Sequence, residues 1–298
     1  MSLVEKAIRK LKDAEPRVPP QADLPRPHAE VTVTATGSNS ATSLGGAAPA
    51  PGRIVCVNTV ALRAAGLVPP EHEERRIAQQ YSHIKRRLIA NASGRGAPRL
   101  PKGYLIMLAS AVPGEGKTFT AINLALSMSR EKDVRVLLAD ADVIKPHISR
   151  QLGVEDAPGL LDVLRDPRLD VESVILPTNV HNLSVLPAGR PSADATELLA
   201  SARMEQVARA LGQHDEQRVV LIDSPPLLHT TESPALAQVA GQVVFVVRAG
   251  ATAQQVVVDA LSHLRQHPAV ALVLNQSMMA THSGYYYNSD SRPGQSDK

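Results

Sequence analysis

The segment Ala111-Val112-Pro113-Gly114-Glu115-Gly116-Lys117-Thr118 has the spacing of a phosphate-binding loop, with Ala111 where the first glycine usually stands. Gly114 and Gly116 let backbone N–H groups turn onto phosphate oxygens. Lys117 would bridge the β- and γ-phosphates of a nucleotide, and Thr118 would offer its hydroxyl to Mg²⁺. Pro113, Glu115 and Phe119 complete the expected nucleotide-binding stretch. A second group closes the run Val136-Leu137-Leu138-Ala139-Asp140-Ala141-Asp142. Carboxylates at i and i+2 on a strand end share a face, where they can hold Mg²⁺ or take a proton from an incoming hydroxyl. A third, Val219-Val220-Leu221-Ile222-Asp223, is an apolar strand ending in one acid that acts on the metal directly or through water. A fourth lies far from these. Tyr285, Tyr286 and Tyr287 are three of the chain's seven aromatics, in a polar setting without aliphatic neighbours, which suits a phosphoacceptor cluster better than an edge strand.

These groups need a scaffold that gathers them. From Gly103 onward, short apolar runs alternate with segments of helical period. Strands are expected at Tyr104–Ser110, Val134–Ala139, Leu183–Pro187, Arg218–Ser224, Gln242–Arg248 and Val270–Asn275. Helices are expected at Thr118–Ser129, near 147–152, from Gly159–Leu164, at Ala195–Leu211, near 232–239 and at Ala253–His267. Strands apolar on both faces, alternating with helices, imply an α/β fold: a mostly parallel sheet of the P-loop NTPase type with helices on both faces. In such a sheet the last strand ends on the same edge as the phosphate loop. The ten residues from Asn275 to Tyr285 span up to about 33 Å, so the tyrosines can reach their own site or a neighbour's.

Upstream, residues 1–14 read as an amphipathic helix and 15–52 as a disordered Pro/Ala/Ser-rich linker. Residues 53–102 form an accessory segment: a strand at 53–58, a short helix over 59–66 stopped at Gly66, and a longer helix over 71–92. Residues 103–276 form the nucleotide-binding domain and 277–298 a tyrosine-bearing tail. Between Arg75 and Lys102 stand eight basic residues and no acid, which reads first as a solvated helix face.

Composition narrows the function classes. The 298 residues carry 32 Lys+Arg against 29 Asp+Glu, a net charge of +3, too balanced for a protein whose affinity rests on neutralising DNA phosphates. With only seven aromatics and no Trp, single-stranded nucleic-acid binding lacks its stacking platforms, and no nucleic-acid partner is expected. A lone Cys56 excludes an internal disulfide framework and fits a reducing compartment. No apolar run approaches the roughly 18 residues of a membrane span, so a cytoplasmic protein is expected.

The wording of the three nucleotide segments, Ser-Ala-Val-Pro-Gly-Glu-Gly-Lys-Thr, Leu-Leu-Ala-Asp-Ala-Asp and Leu-Ile-Asp-Ser-Pro-Pro, resembles the bacterial tyrosine kinases over about residues 71–287. Those enzymes use a phosphate-loop fold. The start Met-Ser-Leu-Val-Glu-Lys-Ala, the run Leu62-Arg-Ala-Ala-Gly-Leu, the run Asp142-Val-Ile-Lys-Pro and the tyrosine tail look most like the exosortase-associated tyrosine autokinases of exopolysaccharide systems. The resemblance implies ATP and Mg²⁺ as cofactors and transfer of the γ-phosphate to tail tyrosines in trans. It implies Asp140 as the base toward the tyrosine hydroxyl, with Asp142 and Asp223 serving Mg²⁺. Asn275 is implied as an adenine contact, and Arg248 as a residue near the nucleotide. Protein-tyrosine substrates and a membrane-anchored chain-length or co-polymerase partner at the inner membrane follow from the same likeness. Two departures stand out. Ile144 occupies a position where the family commonly carries Arg, and the Glu-x-x-Arg-x-x-Arg helix that joins subunits in rings aligns with Gln79, Ser82 and Lys85. A homo-oligomer would then rest on neighbours such as Arg86 and Arg87. The competing reading is a positioning ATPase of the MinD/ParA kind, which usually has Lys at the position of Val112.

Overall fold

The computed structural model describes residues 54–277 except His214 and Glu216. The expected N-terminal helix, the linker and Tyr285–Tyr287 therefore lie outside the described residues. Seven strands form one sheet: β1 (Leu105–Ser110), β2 (Arg135–Asp140), β3 (Leu176–Pro177), β4 (Leu183–Leu186), β5 (Arg218–Asp223), β6 (Gln242–Arg248) and β7 (Val270–Asn275). Their order is β3-β4-β2-β5-β1-β6-β7, and all neighbours run parallel except β3, which is antiparallel to β4.

β1 is buried at every position, and its period of two divides it between two cores. Leu105, Met107 and Ala109 face α5 (Leu160–Arg165), α6 (Ala195–Leu199), α7 (Ala202–Gln213), α8 (Glu232–Val239) and α9 (Gln254–Ser262). Ile106 and Leu108 face α1 (Thr59–Ala64), α2 (Glu71–Ser93), α3 (Lys117–Met128) and α4 (His147–Gln151). From β1 the chain crosses to β2 on one side, and later strands fill the other. The loop after β1 therefore opens at the crevice where the strand order reverses, the ordinary ligand position of an open α/β sheet.

Register does the remaining positioning. Asp140 at the end of β2 pairs with Asp223 at the end of β5, and Arg248 at the end of β6 pairs with Asn275 at the end of β7. Two carboxylates that are 83 positions apart in the chain thus become lateral neighbours because their strands end together.

α2 begins after Pro69-Pro70 with Glu71, Glu73 and Glu74 in its first turn, a charge placement that favours a helix N-terminus, and it ends at Gly94 in the left-handed conformation. Tyr81, Lys85, Leu88 and Ala92 recur at helical spacing on its buried face. Lys85 is the unexpected member. Its Nζ donates to the Ser127 carbonyl at the C-terminal end of α3 (2.8 Å) and pairs with Glu131 at 2.8 Å. One of the eight basic residues read as a solvated face is therefore turned inward, where it ties α2 to α3.

Other expectations shift locally. The single helix expected over 195–211 is two helices, because Ser201 interrupts it: its Oγ donates to the Leu198 carbonyl and accepts from the Met204 N–H in the first turn of α7. The strand expected at 53–58 reduces to one parallel bridge, Val55 to Thr178, since Pro177 on one side of Thr178 has no N–H to give and the Val57 N–H on the other is taken by the Asn179 side chain. Asn58 then accepts from the N–H groups of Val60 and Ala61 and starts α1. The last helix ends at Ser262, short of the expected 267. The 3₁₀ turn Val171–Val174 and β3 were not anticipated.

Candidate active site

The phosphate loop joins β1 to α3. Gly114 and Gly116 have φ of +83° and +89°, a region open to glycine at little cost, and Gly116 is the N-cap residue just before α3. A Cβ on Gly116 would fall on the Asn275 side chain. Asn275 lies there because its Nδ2 donates to the Glu115 carbonyl (2.9 Å), while its Oδ1 accepts from Gln276 N–H (2.9 Å).

The Glu115 side chain turns away from the open cleft. Its buried carboxylate accepts from Val112 N–H (2.9 Å), from the Thr252 hydroxyl (2.6 Å) and from Arg248 N–H (3.4 Å). It bridges the loop to the turn after β6 and fixes the loop's shape from behind. Arg248 contributes through its backbone N–H, and its exposed side chain is not among the residues lining the cleft.

In front of the loop, Lys117 Nζ stands 3.4 Å from Asp223 Oδ1 and 3.8 Å from Asp142 Oδ2. The Thr118 hydroxyl donates to Asp223 Oδ2 at 2.7 Å. Asp142 also accepts from Lys145 N–H at 3.2 Å. Asp140 is completely buried, and its Oδ2 accepts both the N–H and the hydroxyl of Ser149, each at 2.8 Å. Its Oδ1 is buried with no hydrogen-bond partner among the described residues. Burial, then the neighbouring Asp223, pushes the Asp140 carboxyl up to about 7, against the lowering effect of the Ser149 hydrogen bonds. Burial also lifts the Asp142 carboxyl above its ordinary value; Lys117 opposes this and Asp223 reinforces it.

Asp142 and Asp223 thus flank Lys117, with Asp140 beside Asp223, and the three carboxylates, when ionised, leave an excess of negative charge. Among the described residues no three ligating side chains converge as a ready-made metal cage. An orphaned buried carboxylate oxygen, two further carboxylates and a threonine hydroxyl beside a glycine-rich loop fit a divalent cation of the Mg²⁺ type, which keeps several waters and takes few protein ligands beside substrate phosphates. A cleft of about 1160 Å³ opens in front of this centre, running from Pro113–Thr118 past Phe119 and Asn275 to the Tyr81 face of α2.

The structure therefore brings the motif residues Gly114, Gly116, Lys117, Thr118, Asp140, Asp142 and Asp223 together, with Asn275, which only the resemblance suggests, beside the loop. Asp142, rather than Asp140, meets the cleft surface; Asp140 lies behind it. Sequence reasoning missed Ser149 and Thr252, which hold Asp140 and Glu115. No motif marks them, since they lie 9 and 137 positions from the groups they hold.

The AAA domain family matches residues 104–276, more than half of the chain. The chain is similar to the tyrosine-protein kinase YwqD of Bacillus subtilis (strain 168), with 32% identity over 185 residues, covering 61% of this chain and 76% of that protein. It is also 32% identical over 198 residues to the tyrosine-protein kinase Wzc of Salmonella typhimurium, covering 63% of this chain and only 27% of that protein. Among solved structures, the BceF tyrosine kinase domain is similar at 27% identity and a TM-score of 0.57, covering 72% of this chain and 86% of that one.

Proposed function

Because the chain belongs to the bacterial tyrosine-protein kinase family, we propose that it is an ATP-dependent autokinase that phosphorylates Tyr285, Tyr286 and Tyr287 of another copy. The observation that carries this reading is the gathering of three carboxylates at the phosphate loop: Asp142 and Asp223 beside Lys117, and Asp140 beside Asp223. A simple phosphate-binding loop needs one such acid. The additional pair at Asp140 and Asp142 supplies a proton acceptor together with metal ligands, as transfer to a hydroxyl requires.

In this reading the backbone of Gly114–Thr118 cradles the phosphates, Lys117 compensates the charge that spreads over the transferred group, and Thr118, Asp142 and Asp223 would hold Mg²⁺. When bound, the metal would supply neutralisation of phosphate charge. Asp140, being buried, takes the tyrosine proton through an intervening water at its unpartnered Oδ1. Asn275 and Phe119, which line the same cleft, are assigned to the nucleotide base. Substrate choice follows from elimination. Tyr81 is buried on α2, its phenol pushed up to about 12 by that burial, and Tyr104 precedes β1 at the opposite end of that strand from the phosphate loop. The remaining three of the chain's five tyrosines are in the tail.

No helix among the described residues is long and apolar enough to cross a membrane. The regulatory output, control of exopolysaccharide synthesis or export at the inner membrane, is assigned to a membrane-anchored co-polymerase partner, and the chain is placed in the exosortase-associated subgroup on its N-terminal and tail wording. The positioning-ATPase alternative is set aside: Val112 replaces its characteristic lysine, and the Val112 N–H is taken by Glu115. Mass spectrometry of the purified full chain, incubated with and without ATP–Mg²⁺, tests the proposal. Phosphate confined to 285–287 and dependent on ATP is expected, and a chain that hydrolyses ATP without acquiring phosphotyrosine would overturn it.

A further inference from the structure

Ser149 is one residue of a short helix with no sequence motif, yet it makes three hydrogen bonds of one design. Its N–H and its hydroxyl both donate to Asp140 Oδ2 at 2.8 Å, and its Oγ accepts the Ala188 N–H at 3.0 Å. The Ser149 side chain is itself buried. The Ala188 N–H occupies the acceptor side of the hydroxyl, so the hydroxyl proton is directed to Asp140 and cannot rotate freely. Both donors fall on the same carboxylate oxygen. Oδ1 is left as the one acceptor of Asp140 without a partner among the described residues, in a site where an unmet acceptor is costly.

Ala188 is anchored in turn. Its carbonyl accepts the Leu161 N–H (3.0 Å) and the preceding Pro187 carbonyl accepts the Leu160 N–H (2.8 Å), both at the start of α5. At Gly159 and Gly189 the backbones approach so closely that a Cβ on either would collide with the other segment. The loop after β4 is thereby a rigid platform, and Ser149 transmits its position to Asp140.

We propose that Ser149 is the positioning residue of the phosphotransfer step: it saturates Oδ2 of Asp140 and so aims Oδ1 as the sole proton-accepting atom. The role rests on the reading of Asp140 as the proton acceptor given above. Ser149 touches neither nucleotide nor tyrosine in this scheme, and its effect passes through Asp140 alone.

A double-mutant cycle on the full chain separates the two. Ser149→Ala is expected to lower the tail-phosphorylation rate at saturating ATP–Mg²⁺ by about 10²-fold, the order of loss that follows a misplacement of about 1 Å. The dissociation constant for ATP–Mg²⁺, measured by calorimetry, should stay within about two-fold, since an effect on rate without one on binding marks a group used only in the transition state. Adding Ser149→Ala to Asp140→Asn should cost nothing further, because residues that act through one another are not additive. Ser149→Cys keeps the volume with a weaker donor and should fall between the two, which guards against a folding defect in the alanine variant. Losses that add in the double variant, a proportionate loss of nucleotide affinity, or a wild-type rate in Ser149→Ala while Asp140→Asn is slow would each overturn the positioning role alone. A wild-type rate in Asp140→Asn would overturn the proton-acceptor reading, and the positioning role with it.

Discussion

Lys117 sits between two carboxylates at 3.4 and 3.8 Å. Lys117→Met should reduce transfer of labelled γ-phosphate by at least about 10²-fold, the scale seen when one preorganised charge-stabilising donor is lost. Its circular dichroism should remain that of the wild type, and retained labelling would remove Lys117 from the mechanism. Asp140 allows a test without any reaction. Its carboxyl is raised to about 7 in the folded protein against 3.8 for the free side chain. The folded state therefore holds a proton over that interval that the unfolded chain has released. The stability this confers is full below about pH 4 and is lost as pH rises through about 7. Asp140→Asn removes this dependence, so urea melts of the nucleotide-free protein should show the variant gaining on the wild type from pH 4 to pH 8. A constant difference across that range would refute the buried-carboxylate account. At this scale the motif residues were legible because phosphate chemistry dictates their types. Ser149 and Thr252 were not, because a hydroxyl that serves a carboxylate from another part of the chain leaves no periodic or compositional trace.

The elements were legible where burial alone decides them. β6 and β7 have the bounds expected from their apolar runs, and α3 begins one residue before expectation, at Lys117, behind Gly116. Elements decided by single polar residues were not: Ser201 splits a helix and Pro177 curtails a strand pairing. Lys85 was misread for a related reason, since periodicity puts it on the inward face while its charge argues for the outward one. It is engaged within its own subunit, so contacts between copies through α2 would fall to exposed neighbours such as Arg86 and Arg87. The join between the phosphate loop and β7 makes the sharpest element-scale prediction. Gly116→Ala meets two obstacles, a φ of +89° and the Asn275 side chain. Asn275→Ala removes only the second. The double variant should therefore remain defective in nucleotide binding by calorimetry, with an αL penalty of roughly 1–2 kcal/mol still in place. Recovery of wild-type affinity would mean that the clash, and not the backbone, governs the loop.

At the scale of the whole molecule, catalyst and acceptor occupy one chain, and complementary defects can be mixed. Lys117→Met keeps the tail and lacks transfer; the variant with Tyr285, Tyr286 and Tyr287 all changed to Phe keeps transfer and lacks acceptors. Combined with ATP–Mg²⁺, the pair should label the Lys117→Met chain, whereas either alone stays unlabelled. Absence of label in the mixture would show that transfer occurs within one chain. Each added phosphotyrosine brings about 1.5–2 negative charges, so a fully modified tail should be expelled from a site with Asp142 at its surface and Asp140 and Asp223 behind it, and sedimentation should report looser association after reaction. The doubly wound architecture was legible from alternating strands and helices, whereas the lateral pairing of Asp140 with Asp223 depends on strand order, which local sequence does not encode. Asn275 is also the seam between the two roles of the polypeptide. One end of its amide holds the Glu115 carbonyl and the other holds the first residue beyond β7. The phosphate loop and the carboxylates precede that side chain in the chain, and the tyrosines proposed to accept phosphate follow it. On the proposed reading, catalyst and acceptor are therefore joined through one amide, so a change in the acceptor sequence beyond it leaves the hydrogen bond that ties β7 to the phosphate loop in place.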